Sequence, residues 1–482
     1  MNRTRSATLV ALFAIVTAAC GARLTDQQRQ YALQAGLSAG TTSNGATSTN
    51  GGITGTGTAP GSKGKTGTPI AAGPGSSAGG STTGGGGGGA SGGVGTGTSQ
   101  QAQNNGGSTD TGVTSNSINI ATIYDGTGPE PGIFNAAFQA TEAAAAYANS
   151  QGGIFGRQIH VDALDDQTNT GGNRAATEQA CQKDFAIVGS MSAFDDGGPP
   201  VIEQCGIPDI PAITITPQHQ LEKGVHPAYP NRPDYFIQAY PNYIKKTYPS
   251  VIKHAGILWL NASAASSNAT ARMKAYEHAG FKWIYKQQVQ ITEPNYAPYV
   301  AAMRQAGVQY VTMVGDYQSI ARLNQAMQQQ AWFPQVRDWD SVVYDQGFLS
   351  LAGPSANGSL FYMDTSMIEE ASKNKEMQLY LYWLNKTCAN CHPTYFGEYA
   401  WSAARLFFQA AAAVGAKLTR PALDAQLSKI HSWTDFGMHA AQNPGSDMPS
   451  PCIMYGKIAN GKFVRVYPSS GFSCSLGGLL HQ

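Results

Sequence analysis

A strand followed by a helix, repeated along the chain, is what most restricts the fold of this protein. Ile118, Ile120, Thr122 and Ile123 form a short apolar strand that breaks at Asp125-Gly126. Phe134 to Ala148 is helical by composition and stops at Gly152-Gly153, where a left-handed C-cap costs little. Ile159 to Leu164 is the next strand, Gly172 to Lys183 a helix, Phe185 to Gly189 a buried strand and Gly197 to Gln204 another helix. After a connection rich in Tyr and Pro (Tyr235 to Pro249) the alternation resumes. Strands are predicted at Ala255 to Leu260, Trp283 to Gln290, Val308 to Val314 and around Ser341 to Tyr344, with helices at Asn268 to Ala279, Tyr296 to Ala306 and Gln318 to Gln330. Residues 371–430 read as mainly helical, and the chain ends in strands at Ile453 to Ile458 and Phe463 to Tyr467. The expected class is α/β: two Rossmann-like lobes with parallel sheets, joined by a hinge with a cleft between them. Ligands bind such sheets outside the carboxyl ends of the strands.

The amino terminus speaks to compartment. Arg3 and Arg5 precede an apolar run from Ala7 to Val16, about ten residues and too short to span a bilayer. Thr17, Ala18 and Ala19 then lead to Cys20, a pattern that resembles a bacterial lipoprotein signal with Cys20 lipidated as the mature first residue. The expected organisation is a leader over 1–19, a short segment over 20–35 and a disordered Gly/Ser/Thr-rich linker over 36–112. A bilobal domain follows over 113–482, with lobe 1 at about 117–245 and 365–435 and lobe 2 at about 246–364 and 436–482. A flexible linker of that length has a reach of roughly 45–50 Å. The expected location is the outer face of the cell membrane, held there by lipid. A net charge of +1 with no Lys/Arg stripe gives no reason to expect nucleic acid.

Seven cysteines less Cys20 leave six, an even number that fits disulfides in an oxidising compartment, although fifteen pairings are possible. The expected pairs are Cys181 with Cys205, joining neighbouring helices, and Cys452 with Cys474, pinning the tail. Cys388 with Cys391 is the third candidate. Cys388-Ala389-Asn390-Cys391-His392 also has the C-x-x-C-H form of covalent haem attachment, and Cys388, Cys391 and His392 could be read as zinc ligands without a fourth partner. A bridge or thiol pair is preferred, so neither metal nor other cofactor is expected.

Several segments together carry a family resemblance: NSQGGIFGRQI, the Asp165-Asp166 strand end, FAIVGSMS, CGIPDIPAI, FLSLAGPSANG (Phe348 to Gly358) and FGEYAWSAARLFFQA (Phe396 to Ala410). In this order the chain from about Ser117 resembles the type I periplasmic solute-binding proteins, specifically the branched-chain amino acid group of ABC transporters. The resemblance implies a monomeric exported receptor that closes on a small solute and delivers it to a membrane permease with its ATPase. It implies ligand contacts on post-strand loops: Tyr124, Ser192, Ala193, Phe194, Thr214 and Thr216 from the first lobe, and Trp259, Asp316, Tyr317, Tyr344 and Asp345 from the second. Hydroxyls and helix amides would hold a carboxylate, a second-lobe acid an ammonium, and aromatic rings the apolar part.

Two loops depart from the family. Where amino-acid binders place small hydroxyl residues, this chain has Ser192-Ala193-Phe194-Asp195-Asp196, whose acids would cap a helix but repel an anion. Where the family often has Tyr-Gly, it has Ala265-Ser266-Ser267-Asn268. A larger polar or aromatic solute is therefore expected. The chain lacks GxSxG, HExxH and Walker-type sequences, so a binding protein rather than an enzyme is expected. A lipid-anchored ligand sensor of the same fold is the alternative.

Overall fold

The computed structural model describes residues 104–128 and 131–481. The expected leader, Cys20 and the expected linker up to residue 103 lie outside the described residues. Residues 104–112, expected in the linker, are instead folded onto the first lobe. The Asn105 amide donates to the carbonyls of Ser115 (2.7 Å) and Phe155 (3.1 Å), and Asp110 accepts the Arg420 backbone N–H at 2.7 Å. The buried Arg157 guanidinium donates to the carbonyls of Asn105 and Gly107. Composition alone hides this docking, because polar partners rather than apolar bulk hold the segment.

The first sheet is parallel, in the order β2 (Gln158–Asp165), β1 (Ser117–Tyr124), β3 (Ala186–Val188) and β4 (Asp209–Ile210). Helix α1 (Asn135–Ser150) buries a row of alanines, packed between β1 and β2 on one side and later helices of the chain on the other. It ends at Gly152 and Gly153, both at positive φ, as the composition predicts. Helix α2 (Thr170–Lys183) starts at Asn169, whose side chain accepts the Gly172 N–H. Helix α3 (Pro199–Cys205) carries the disulfide Cys181–Cys205 across to α2. After β4 comes one helical turn, α4 (Pro217–Gln220).

The stretch Tyr235 to Pro249, read as plain connection, contains β5 (Tyr235–Ile237) and α5 (Ala239–Thr247). The second sheet has seven strands in the order β12, β11, β10, β9, β8, β6, β7. Strands β6 (Ala255–Leu260), β7 (Trp283–Val289), β8 (Tyr310–Val314), β9 (Val336–Trp339) and β10 (Leu360–Met363) are parallel. Strands β11 (Met454–Ala459) and β12 (Lys462–Tyr467) add antiparallel to the β10 edge, so this sheet is mixed, not purely parallel. Helices α6 (Ser263–His278), α7 (Ala297–Ala306), α8 (Tyr317–Gln329) and α9 (Gln346–Ala352) make the connections. β13 (Leu479–His481) pairs with β5, so the chain end returns to the crossing region.

The strand expected around Ser341 to Tyr344 is corrected to β9, and Ser341–Val343 is a 3-10 turn. Two buried charges disguise β9. Arg337 donates to Asn324 Oδ1 (2.7 Å) and the carbonyls of Ser355 and Asn357, and Asp338 Oδ2 accepts the Tyr310 hydroxyl (2.9 Å). Strand β10 escaped the sequence reading altogether. Helices α10 (Lys375–Thr387), α11 (Tyr395–Val414) and α12 (Arg420–Leu427) follow, and α11 is buried along most of its length beside α1. Beyond α12, Thr365 bridges His439 and Trp433 bridges Gln442 before the chain enters β11. The disulfides Cys388–Cys391 and Cys452–Cys474 complete the three expected pairs. With Cys388 and Cys391 bonded to each other, their thiols are committed to neither haem nor zinc.

The Cys181–Cys205 bridge spans a sequence separation of 24 residues. In the chain-entropy picture, replacing both with Ala lowers stability by about 3 kcal/mol. Urea unfolding of the double variant beside the non-reduced parent measures this.

Candidate functional site

The loops after the strands of both sheets converge on a cavity of about 310 Å³. From the first sheet come Ile133 and Phe134, then Ala193 and Phe194, then Ile213 and Ile215. The crossing segments add Tyr229, Tyr235, Phe236 and Tyr240. From the second sheet come Asn268 and Arg272 on α6, Gly315 and Asp316 after β8, Asp340 to Val342 after β9, and Tyr362 and Asp364 at β10. Tyr395, Phe396 and Tyr399 line it from the first turn of α11, whose start is set by the Thr394 hydroxyl accepting the Gly397 N–H at 3.1 Å. Ten aromatic side chains thus face the space, eight of them packed in two groups: Phe134, Tyr229, Tyr395, Phe396 and Tyr399 in one, and Phe236, Tyr240 and Tyr362 in the other. Tyr229 stacks on Tyr399, Tyr240 lies 4.0 Å from Tyr362 between ring centroids, and Phe134 meets Phe396 edge-on at 4.9 Å.

The first-lobe wall spends its polar groups internally. The Ser192 hydroxyl and the Ala193 N–H both donate to the Asp125 carboxyl at 3.0 Å. Burial, with Asp166 alongside, holds Asp125 well above the usual carboxylate range. Asp195 does not cap α3, contrary to its expected role. It turns inward and accepts the N–H groups of Ile215 (2.7 Å) and Thr216 (2.8 Å), while Asp196 accepts the Thr170 hydroxyl. The reason is geometric: a 3-10 turn over Asp195–Gly197 places Gly198, which has no side chain to offer, at the N-cap of α3.

The second-lobe wall carries the charge. Arg272 is the one cationic side chain among the described lining residues. It is buried and already committed to Asp340 (3.1 Å), the Thr312 hydroxyl (3.2 Å) and the face of Tyr362. Asp340 and Asp364 remain partly exposed. Asp364 accepts the Tyr399 hydroxyl at 2.5 Å and the Gln442 amide at 2.9 Å, and burial pushes its carboxyl up to about 6. Asp316 caps α8 by accepting the Ser319 N–H (2.7 Å) and hydroxyl (2.8 Å).

Of the residues expected from sequence, Ala193, Phe194 and Asp316 line this cavity. Tyr317 and Asp345 line an adjoining outer cavity of about 830 Å³, which shares Ile133, Ile291, Asp316, Val342 and Phe396 with the inner one. Asp345 there caps α9 through the Gly347 N–H. The other six lie away from both. Tyr124 stacks on Phe138, and Ser192 serves Asp125. The Thr214 hydroxyl donates to the Asn231 carbonyl, and Thr216 is buried behind the wall. Trp259 is half-buried and packs against the second-lobe core. Tyr344 is buried with its hydroxyl donating to Glu369 and accepting from the Ile368 N–H. Sequence reasoning missed Arg272, Asp340, Asp364 and the α11 aromatics. The FGEYAW segment is the available signal for the last of these, read in the sequence as part of the family resemblance without its aromatics being assigned to the site.

Two α/β lobes whose post-strand loops enclose one cavity define a bilobal solute receptor. The chain belongs to the periplasmic binding protein family, whose model matches residues 117–462. It is thus an extracytoplasmic solute-binding protein, in a family of binders rather than enzymes. No curated protein matches it. Among solved structures, it is similar to a fatty acid ABC transporter substrate-binding protein from Thermomonospora curvata, with 17% identity, TM-score 0.65, and coverage of 77% of this chain and 95% of that one. It is also similar to the isoleucine-bound branched-chain amino acid binding protein of Streptococcus pneumoniae, with 15% identity, TM-score 0.61, and coverage of 73% and 100%. A leucine-binding protein of Thermotoga maritima gives 13% identity, TM-score 0.61, and coverage of 72% and 97%. At these identities the likeness establishes the fold alone. Among the described residues no helix is long and apolar enough to cross a membrane.

Removing Arg272 strands Asp340 beside an apolar wall. Arg272→Met is expected to lower stability by about 3 kcal/mol, and Arg272→Met with Asp340→Leu to recover most of that loss. Urea unfolding of the two single variants and the double variant closes the cycle.

Proposed function

We propose that this chain is the solute-capturing component of an ABC importer, tethered by lipid at Cys20, and that its solute is an aromatic molecule carrying a basic nitrogen. The observation that carries the solute class is the cavity wall itself: ten aromatic rings with two partly exposed carboxylates, Asp340 and Asp364. A protonated amine among aromatic faces and carboxylates gains both Coulomb attraction and cation–π contact. An anionic solute finds less. Of the Arg272–Asp340 pair it is the carboxylate that stays open, with 22% of its side chain exposed against 3% for Arg272, and the Ser192 and Ala193 donors are engaged with Asp125. The import reading is supported by the family and by fold neighbours described as ABC transporter binding proteins, one for fatty acids and one in complex with isoleucine. As a monomer on the linker, the receptor would deliver its solute to a permease and its ATPase.

Calorimetry with an aromatic amine, the matching aromatic carboxylate, a straight-chain fatty acid and leucine tests the class. The amine is expected to bind most tightly, with Asp364→Asn weakening it at least tenfold. The pH dependence has a defined sign. Asp364 with its carboxyl near 6 is charged above that pH and neutral below it, so amine affinity is expected to fall as pH drops from 7 to 5. Tighter binding of the carboxylate or the fatty acid, unaffected by Asp364→Asn, overturns the proposal.

A further inference from the structure

Behind the first-lobe wall of the cleft lies a second group of polar side chains that solute capture does not use. His219 stands on the α4 turn, Glu222 follows it by three residues, and Asp209 begins β4. The Nε2 of His219 is 2.6 Å from Asp209 Oδ2 and 3.8 Å from Glu222 Oε2. One ligand atom from each of the three residues lies within 4.8 Å of the others. All three are buried, and the Glu222 side chain has 0% of its surface exposed. Both Glu222 carboxylate oxygens and Asp209 Oδ1 lack a hydrogen-bond partner. Leaving three carboxylate oxygens unpartnered in the interior is costly unless something positive meets them.

The opposite ring nitrogen is also held. His219 Nδ1 is 2.9 Å from Asp195 Oδ2, and Asp195 is itself fixed by the N–H groups of Ile215 and Thr216. A carboxylate on one imidazole nitrogen sets the tautomer and presents the other nitrogen as a ligand, which is how histidine is oriented at metal centres. The charge points the same way. Asp195, Asp209 and Glu222 gather around a single imidazole, Glu203 adds a further acid nearby, and among the described residues no lysine or arginine pairs with any of the three.

We propose that Asp209, His219 and Glu222 form a binding site for one divalent transition-metal ion, Zn²⁺ or Mn²⁺, with Asp195 as the residue that positions His219. One imidazole and two carboxylates suit these ions. Metal bonds of about 2.0–2.2 Å put neighbouring ligand atoms about 3.4 Å apart in a tetrahedral arrangement. The Asp209 and Glu222 oxygens bracket that separation from His219 Nε2, at 2.6 and 3.8 Å. The free second oxygen of Glu222 allows it to bind bidentately. The ion replaces the proton between Nε2 and Asp209 and neutralises the excess acid. Its role is to brace the cleft: Asp195 ties His219 to Ile215, and Ile213 and Ile215 line the solute cavity. The site departs from the expectation that the chain holds no metal.

The purified full-length chain, stripped with chelator and titrated calorimetrically with ZnCl₂ and with MnCl₂, tests the site. One ion per chain is expected, with a rise in Tm at saturation. Glu222→Gln is expected to weaken that binding at least tenfold with an unchanged circular dichroism spectrum. Absence of binding by the stripped parent chain overturns the proposal and leaves a cluster held by protons. Stoichiometric binding that Glu222→Gln leaves intact also overturns it, by placing the ion elsewhere. If Glu222→Gln does not fold, Co²⁺ added to the parent chain decides. Visible d–d bands rising to a one-to-one endpoint uphold a histidine–carboxylate site, and a flat visible spectrum removes it.

Discussion

Parallel strands joined by helical crossovers must all end at the same edge of their sheet, and everything distinctive in this protein follows from that edge. The connections after β1, β3 and β4 leave the first lobe together, and those after β6, β8 and β9 leave the second together. Residues distant in sequence, such as Ala193, Ile215, Arg272 and Asp340, therefore line one space. Helix α11 enters the same space with Tyr395, Phe396 and Tyr399, because its long buried body packs beside α1 and fixes where its first turn begins.

The character of that space depends on where the polar groups of the wall find partners. In the first lobe, Asp125 takes the donors of Ser192 and Ala193, and Asp195 takes those of Ile215 and Thr216. What remains facing the cavity is Ala193, Phe194, Ile213 and Ile215, an apolar surface made from a segment rich in Ser, Asp and Thr. In the second lobe, the Arg272–Asp340 pair leaves carboxylate rather than guanidinium as the group partly open to solvent. Inward-turned acids thus shape the cleft and also gather the cluster around His219.

Much of the scaffold was legible. The strand at Ala255 to Leu260 is found as read, and the helices ending near Lys183 and Ala306 are found within a residue or two. All three cysteine pairs form. Local signals suffice there, because apolar periodicity and glycine stops report directly on burial and chain reversal. Strand β9 was misplaced because Arg337 and Asp338 sit inside it, and a buried charge reads as exposed until its partners are known. The linker boundary failed for the same reason, since Asn105 and Asp110 are anchored by partners far along the chain.

The site was less legible than the scaffold. The sequence located the loops that would carry it, since a loop's place after a parallel strand is a matter of order along the chain. It did not reveal which side chains on those loops face the cavity. Asp316 lines it while also capping α8, Tyr344 points into the core, and Asp364 and Tyr399 meet across 35 residues. Side-chain direction and hydrogen-bond partnership are pairwise properties of residues far apart in the chain. Alternation of strand and helix was therefore enough to give two lobes and a cleft, while the aromatic wall, the inward carboxylates and the His219 cluster came into being only when the folded chain brought their partners together.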